Sequence, residues 1–264
     1  MYDYVFFAFT LTLIAGLATG IGGAIALVSK KENKFFLSVC LSFAAGVMIY
    51  ISFVEIFFKA YESLEYAGED LGYPILTVSF FAGIALMSII SKLIPHGKNP
   101  SEFLENDKRS LKRTGLTTAT AIAVHNFPEG LITFVAALYD PAMGIAVAAA
   151  IIIHNIPEGI AVASPIYHAT GSKIKAFLVS LGAGITEPIG ALIAWLLLRN
   201  FVQEINEIVL GVIFAIVGGI MVYVAFSQLL PAARKYGQHK TVITWLFLGM
   251  AVMAAGLVLL ELVM

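Results

Sequence analysis

The sequence predicts an all-α polytopic membrane protein with eight transmembrane helices in a 3+2+3 arrangement. Three observations predict it. Eight apolar stretches each reach the roughly 20 residues needed to cross a bilayer core. Only 12% of the 264 residues are charged, 59% are hydrophobic, and the mean hydropathy is +0.91; a soluble domain carries about twice that charge. Finally, internal repeats relate the first three stretches to the last three, and the fourth to the fifth.

In chain order the spans are expected at about 4–28, 35–58, 73–94, 114–138, 142–166, 172–198, 208–230 and 241–263, within a single domain 1–264. The opening MYDYVFFAF has no basic segment ahead of its apolar run and no small-residue cleavage site. It therefore reads as the first span, not as a removed signal peptide. Connections are short except 95–113 (PHGKNPSEFLENDKRSLKR), a polar, charged loop. The single cysteine, Cys40, excludes an internal disulfide and a thiolate cluster. It reads as a small apolar side chain in a helix. A net charge of −1 argues against a nucleic-acid partner; membrane lipid is the expected surrounding.

Lysine and arginine set the orientation. All but Lys59 and Arg199 of the 16 basic residues follow spans 1, 3, 5 and 7. Those loops, 95–113 among them, are expected in the cytoplasm, with both termini outside. The outer side carries Glu62, Glu65, Glu69, Asp70, Asp140, Glu204 and Glu207, charges that concentrate cations near an entrance.

The stretch GVMIYISFVEIFFKA (46–60) lies over GIMVYVAFSQLLPAA (219–233), an offset of 173, pairing span 2 with span 7. More weakly, TGIGGA (19–24) lies over TEPIGA (186–191), pairing span 1 with span 6. Five crossings separate these units, an odd number, so the second inserts upside down. Spans 4 and 5, being consecutive, are inverted with respect to each other. Inverted repeats around a midplane ion site are the pattern of secondary transporters.

The candidate site is the repeat of HNFPEG (125–130) as HNIPEG (154–159), 29 residues on. Ionisable groups are costly inside a membrane and mark ion pathways. At about 100° per residue, Glu129 falls between His125 and Asn126 on one helix face; Glu158 does the same between His154 and Asn155. A two-oxygen ligand so placed suits bridging of adjacent metal ions, one on the histidine side and one on the asparagine side. Glu187, in the TEP of span 6, reaches the same depth. Pro128, Pro157 and Pro188 each remove an N–H and free a backbone carbonyl, which a membrane tolerates where the chain lines a cavity. With no basic partner in these spans, divalent metal or protons must neutralise the three carboxylates. The nitrogen and oxygen ligands suit Zn²⁺, Fe²⁺, Mn²⁺, Co²⁺ and Cd²⁺ and disfavour Cu⁺, Ca²⁺ and Mg²⁺. Glu55 ends span 2 and its repeat partner Gln228 lies near the inner end of span 7, suiting the two mouths of a path. His96, His168 and His239 lie in loops or at span ends and are expected in solvent.

HNFPEG, HNIPEG and the EP of span 6 together resemble the ZIP (Zrt/Irt-like) family of metal-ion transporters, most closely its bacterial ZupT-like branch. The resemblance covers all eight spans. It implies a multi-pass protein of the cell inner membrane that takes divalent metal into the cytoplasm through a two-metal site. Carried over by motif, one position uses His125, Glu129, His154 and Glu158. The other uses Asn126, Glu129, Asn155, Glu158 and Glu187. The family's histidine-rich loop between spans 3 and 4 is reduced here to His96. A homodimer and movement of one helix bundle against another are further implications.

Two other readings compete. An intramembrane zinc protease wants His-Glu-x-x-His on one helix, and a di-metal oxidase wants Glu-x-x-His pairs; the motifs here have neither. The expectation is therefore no enzyme and no bound cofactor, the metal being cargo. A passive metal-selective channel fits the same residues.

Overall fold

The computed structural model describes residues 2–28, 33–68, 70–93, 108–199 and 207–263. Among them there is no strand, and eight helical segments are long and apolar enough to cross a membrane. Span 1 is α1 (Tyr2–Ala26). Span 2 joins α2 (Lys34–Ile51) through a π-helical turn, Ser52–Ile56, to α3 (Phe57–Leu64). Span 3 is α4 (Gly72–Leu93), span 4 α5 (Lys108–Tyr139) and span 5 α6 (Pro141–Thr170). Span 6 is α7 (Lys173–Gly184) and α8 (Thr186–Leu198). Span 7 runs from α9 (Glu207–Val224) through a second π-helical turn, Ala225–Leu229, into α10 (Leu230–Tyr236). Span 8 is α11 (His239–Val263).

Local sequence sets the boundaries. Asn33 caps α2 by accepting the Phe36 N–H at 3.0 Å, and Asp140 caps α6 by accepting that of Ala142 at 2.9 Å. Pro141 follows at the first helical position, where no N–H is needed. Gly171, at φ 66°, ends α6 in the left-handed conformation that a side chain would disfavour. Several helices outrun the predicted spans, because hydropathy marks the lipid-facing length and the hydrogen-bonded helix continues beyond it. Thus α5 begins at Lys108, inside the predicted loop 95–113, and α6 runs on to Thr170. Residues 95–107, His96 among them, lie outside the described residues, as do Glu69 and Glu204.

The helices pack in two groups. α1 lies along α6, α5 packs on α6 and α8, and α7 closes against α1. In the other group α11 packs on α2, α4 on α9, and α3 on α9. The groups meet where α2 crosses α6 and α5 crosses α9. A Cβ at Gly46 would overlap the carbonyl of Leu246 on α11, and one at Gly219 would overlap that of Phe80 on α4. Small residues thus let helix backbones touch, which is how helices associate where lipid is as apolar as leucine. Large apolar side chains such as Phe6, Phe81, Ile174 and Phe247 face outward, as they must in lipid. Between α4/α9 and α5/α8 lies an apolar cavity of about 710 Å³, lined by Leu86, Met87, Phe127 and Ile216 among others.

The two π-helical turns stand 173 residues apart, the offset of the sequence repeat, and so do Gly46 and Gly219. Glu55 lies in the first turn and Gln228 in the second, both half-buried and both in the second helix group. A π turn adds one residue to a helix and is frequent at functional sites.

Candidate metal-transport site

The turn between α5 and α6 builds the site. Only Asp140 separates the helices, so they return antiparallel and side by side. His125 lies fifteen residues before that turn and His154 fourteen after it, about 22 Å down either helix at 1.5 Å per residue. Equal distances bring both motifs to one depth, and α8 brings Glu187 to meet them. Span 6 goes further than the expected proline kink. Its helix breaks at Ile185, and Glu187 and Pro188 sit in the first turn of α8. A proline is tolerated there, and the helix N-terminus favours a carboxylate.

All seven predicted ligand residues are brought together, each at most 1% exposed. The pairing crosses between helices. His125 Nε2 lies 3.1 Å from Glu158 Oε2, and His154 Nε2 lies 3.2 Å from Glu129 Oε1. Asn155 Nδ2 donates to Glu187 Oε1 at 2.5 Å and to the Ala15 carbonyl at 2.9 Å. Asn126 Nδ2 donates to the same Glu187 oxygen and to the Ala183 carbonyl, both at 3.4 Å. Among the described residues, no three His, Cys, Asp or Glu side chains form a closed metal cage; the groups are paired with one another instead.

What remains after that pairing is informative. One ligand atom from each of the seven has no protein partner: His125 Nδ1, Asn126 Oδ1, Glu129 Oε2, His154 Nδ1, Asn155 Oδ1, Glu158 Oε1 and Glu187 Oε2. A buried unsatisfied polar atom costs about 1–3 kcal/mol. Seven in one place cost as much as the whole net stability of a domain, about 5–15 kcal/mol. A structural helix-joining network would satisfy its members. This one holds acceptor oxygens and imidazole nitrogens ready for cations, and the donor set fits a first-row divalent metal.

The packing around the site uses the same close approaches as the rest of the fold. A Cβ at Gly130 on α5 would overlap the Glu187 carbonyl, and one at Gly159 on α6 would overlap the Thr19 carbonyl. These contacts pair Thr19 with Glu187, one residue away from the alignment of Thr19 with Thr186 expected from sequence. Three matching letters in six residues are weaker evidence of register than a backbone contact. Ser180 Oγ, which sequence reasoning missed, bonds the carbonyls of Thr19 at 2.8 Å and Gly159 at 3.2 Å, tying α7 to α1 and α6. Its one signal in sequence was a serine within an apolar span.

His168 departs from the expected solvent exposure. It is half-buried at the end of α6, its Nδ1 is 2.7 Å from the Ser164 carbonyl, and its Nε2 is buried without a partner. The helix that outran its predicted end carries the ring into packing. His239 is exposed and Cys40 buried and free, as expected. The 710 Å³ cavity is separate from the ligand cluster: Phe127 and Pro128 line it, and none of the seven ligands does.

Fold and site define a polytopic α-helical membrane protein with a buried cluster of metal-ligand groups. Residues 96–256 match the ZIP Zinc transporter family. The chain is 49% identical to a protein named Zinc transporter ZupT from Chlorobium chlorochromatii, over 98% of this chain and 99% of that one. To proteins of the same name it is 50% identical for Clostridium perfringens (97% and 96% covered) and 51% for Streptococcus mutans (98% and 99% covered). The chain belongs to the ZIP family.

Proposed function

We propose that this protein carries zinc, and with it iron, manganese, cobalt and cadmium, into the cytoplasm through a two-metal site at the midplane of spans 4, 5 and 6. The observation that carries the reading is the set of seven unpartnered ligand atoms, one from each predicted residue. Relatives about half identical over nearly their whole length are named as zinc transporters, which supports zinc as cargo and transport over catalysis.

In this reading Glu129 and Glu158 each give one oxygen to the facing histidine and keep a second oxygen for metal. That supports their role as bridges between a position on the histidine side and one on the asparagine side. Incoming metal displaces the His–Glu pairings, so binding exchanges one set of contacts for another and release can reverse it. The matched π turns and glycine contacts support the reading of spans 1–3 and 6–8 as inverted repeats. Glu55 and Gln228, in those two turns, then serve the outer and inner mouths. The basic loops support a reading with both termini outside a bacterial inner membrane.

Uptake by the purified protein in liposomes tests this, with the metals in competition. The reading expects saturable zinc entry that cadmium, iron, manganese and cobalt each reduce. Flux that rises linearly without saturating favours a channel, and no flux of any of the metals refutes the proposal.

A further inference from the structure

Among the described residues, two buried side-chain atoms without a partner lie outside the seven ligands, Thr19 Oγ1 and His168 Nε2. Thr19 adjoins the site. We propose that Thr19 is an eighth member of it: the oxygen donor that α1 contributes to the metal position on the asparagine side, matching Glu187 across the pseudo-symmetric pair of helices. The inference deepens the two-position reading above and rests on it.

α1 and α7/α8 share a register. Contacts of α1 and of α7/α8 correspond at a spacing of 168 residues: Ala15 with Ala183, Gly16 with Gly184, Thr19 with Glu187 and Gly22 with Gly190. The carbonyls of Ala15 and Ala183 each accept from a site asparagine, Asn155 and Asn126. Glycines 16 and 184 meet each other. The carbonyls of Thr19 and Glu187 each lie against the glycine of an HN-x-PEG motif, Gly159 and Gly130. α1 therefore stands to α6 as α8 stands to α5, and Thr19 occupies the place that Glu187 occupies on the other side.

The Thr19 hydroxyl also behaves unlike the other helical threonines that bond back along their helix. A helical threonine usually gives its proton to the carbonyl four residues back. Thr10, Thr12, Thr77, Thr120, Thr133 and Thr170 all do so here, at 2.8–2.9 Å. Thr19 does not. The carbonyl it would use is that of Ala15, and Asn155 Nδ2 takes it at 2.9 Å. The ligand amide and the Thr19 side chain therefore share one turn of α1. On its other flank Thr19 Cβ lies 2.9 Å from where a Cβ of Gly184 would stand, one turn before Glu187. Thr19 is fully buried, and its hydroxyl has no protein partner. A neutral hydroxyl where the symmetry-related helix has a carboxylate suits a position that must bind metal and also release it; a second carboxylate there would hold the ion more tightly.

Zinc titration of the purified full-length chain tests this. Thr19→Val keeps the shape and removes the oxygen, Thr19→Ser keeps the oxygen, and Thr19→Asp adds charge. We expect Thr19→Val to weaken only the position that Glu187→Ala removes, by about 10–100-fold, the usual cost of losing a supporting group at a metal site. Thr19→Ser should bind as wild type, and Thr19→Asp should tighten that position and slow zinc release. In a Glu187→Ala background, Thr19→Val should change nothing further. The proposal is overturned if Thr19→Val binds both zinc ions as wild type does. It is equally overturned if both positions weaken alike or if Thr19→Ser fails with Thr19→Val, since each marks a packing role. A wild-type chain that binds no second zinc sinks the two-position reading and this inference with it.

Discussion

The two helix groups share one way of packing and differ in what they bury. Both bring backbones into contact at glycines, Gly46 and Gly219 in the group of α2–α4 and α9–α11, Gly130 and Gly159 in the group of α1 and α5–α8. The buried polar residues of the first of these groups are serines: Ser38, Ser42, Ser52, Ser63, Ser79 and Ser91. Several have found partners, as Ser38 with the Ala233 carbonyl at 2.9 Å and Ser91 with the Tyr223 hydroxyl at 2.7 Å. Among the described residues, every buried imidazole, amide and carboxylate lies in the other group, and each keeps an atom without a protein partner. Close packing alone thus does not distinguish the proposed transport site from its frame. Unsatisfied polarity does.

Substitutions can break this contrast, and the largest effects belong to the shared carboxylates. Glu129→Ala or Glu158→Ala should abolish zinc uptake in cells while the protein still reaches the membrane at normal abundance. Glu129→Gln should fail as well, because an amide keeps the shape and loses the charge that offsets a buried cation. Full uptake by any of the three would remove the bridging role.

Gly46→Leu probes the frame. Its Cβ would overlap the backbone of α11 at Leu246, a clash that no rotamer relieves, so the cost exceeds the ordinary overpacking penalty of about 1–3 kcal/mol. The melting temperature should fall, while zinc bound per folded chain stays at the wild-type value. Lost zinc binding in well-folded Gly46→Leu protein would show that the frame shares in the site.

A smaller effect sharpens the account of the site. Three carboxylates within one buried cluster cannot all stay charged uncompensated, so the cluster, on its carboxyls or on the imidazoles paired with Glu129 and Glu158, holds at least one proton when metal is absent. Metal binding should release it. Zinc titrations in two buffers of different ionisation enthalpy should then give different heats, after correction for zinc–buffer binding. Identical heats would mean no net proton release. Apparent zinc affinity should also fall as the pH is lowered, since protons and metal compete for the same ligand atoms.

Much of this was legible in the sequence, for physical reasons. Eight apolar lengths announce eight helices because an unpaired backbone is intolerable in lipid. His125, Asn126, Glu129, His154, Asn155, Glu158 and Glu187 stand out because polar groups there are costly and because six of them recur at one spacing. Less legible was whatever depends on contacts between helices. The π turns holding Glu55 and Gln228 change hydrogen bonding without changing hydropathy. The break at Ile185 reads in sequence only as a proline. Thr19 looks like any helical threonine until Asn155 is seen on the carbonyl it would otherwise use. The grouping of α1 with α5–α8 has no local signal at all.

The central claim is that the unpartnered atoms around Glu129 and Glu158 form two adjacent metal positions, with Glu187 serving one of them. Counting zinc ions bound per chain at saturation, in the wild type and in Glu187→Ala, tests it most directly. The account predicts two ions in the wild type and one in the variant, the remaining ion still requiring His125 and His154. Equal counts in the two proteins, or loss of both ions from the variant, would contradict it.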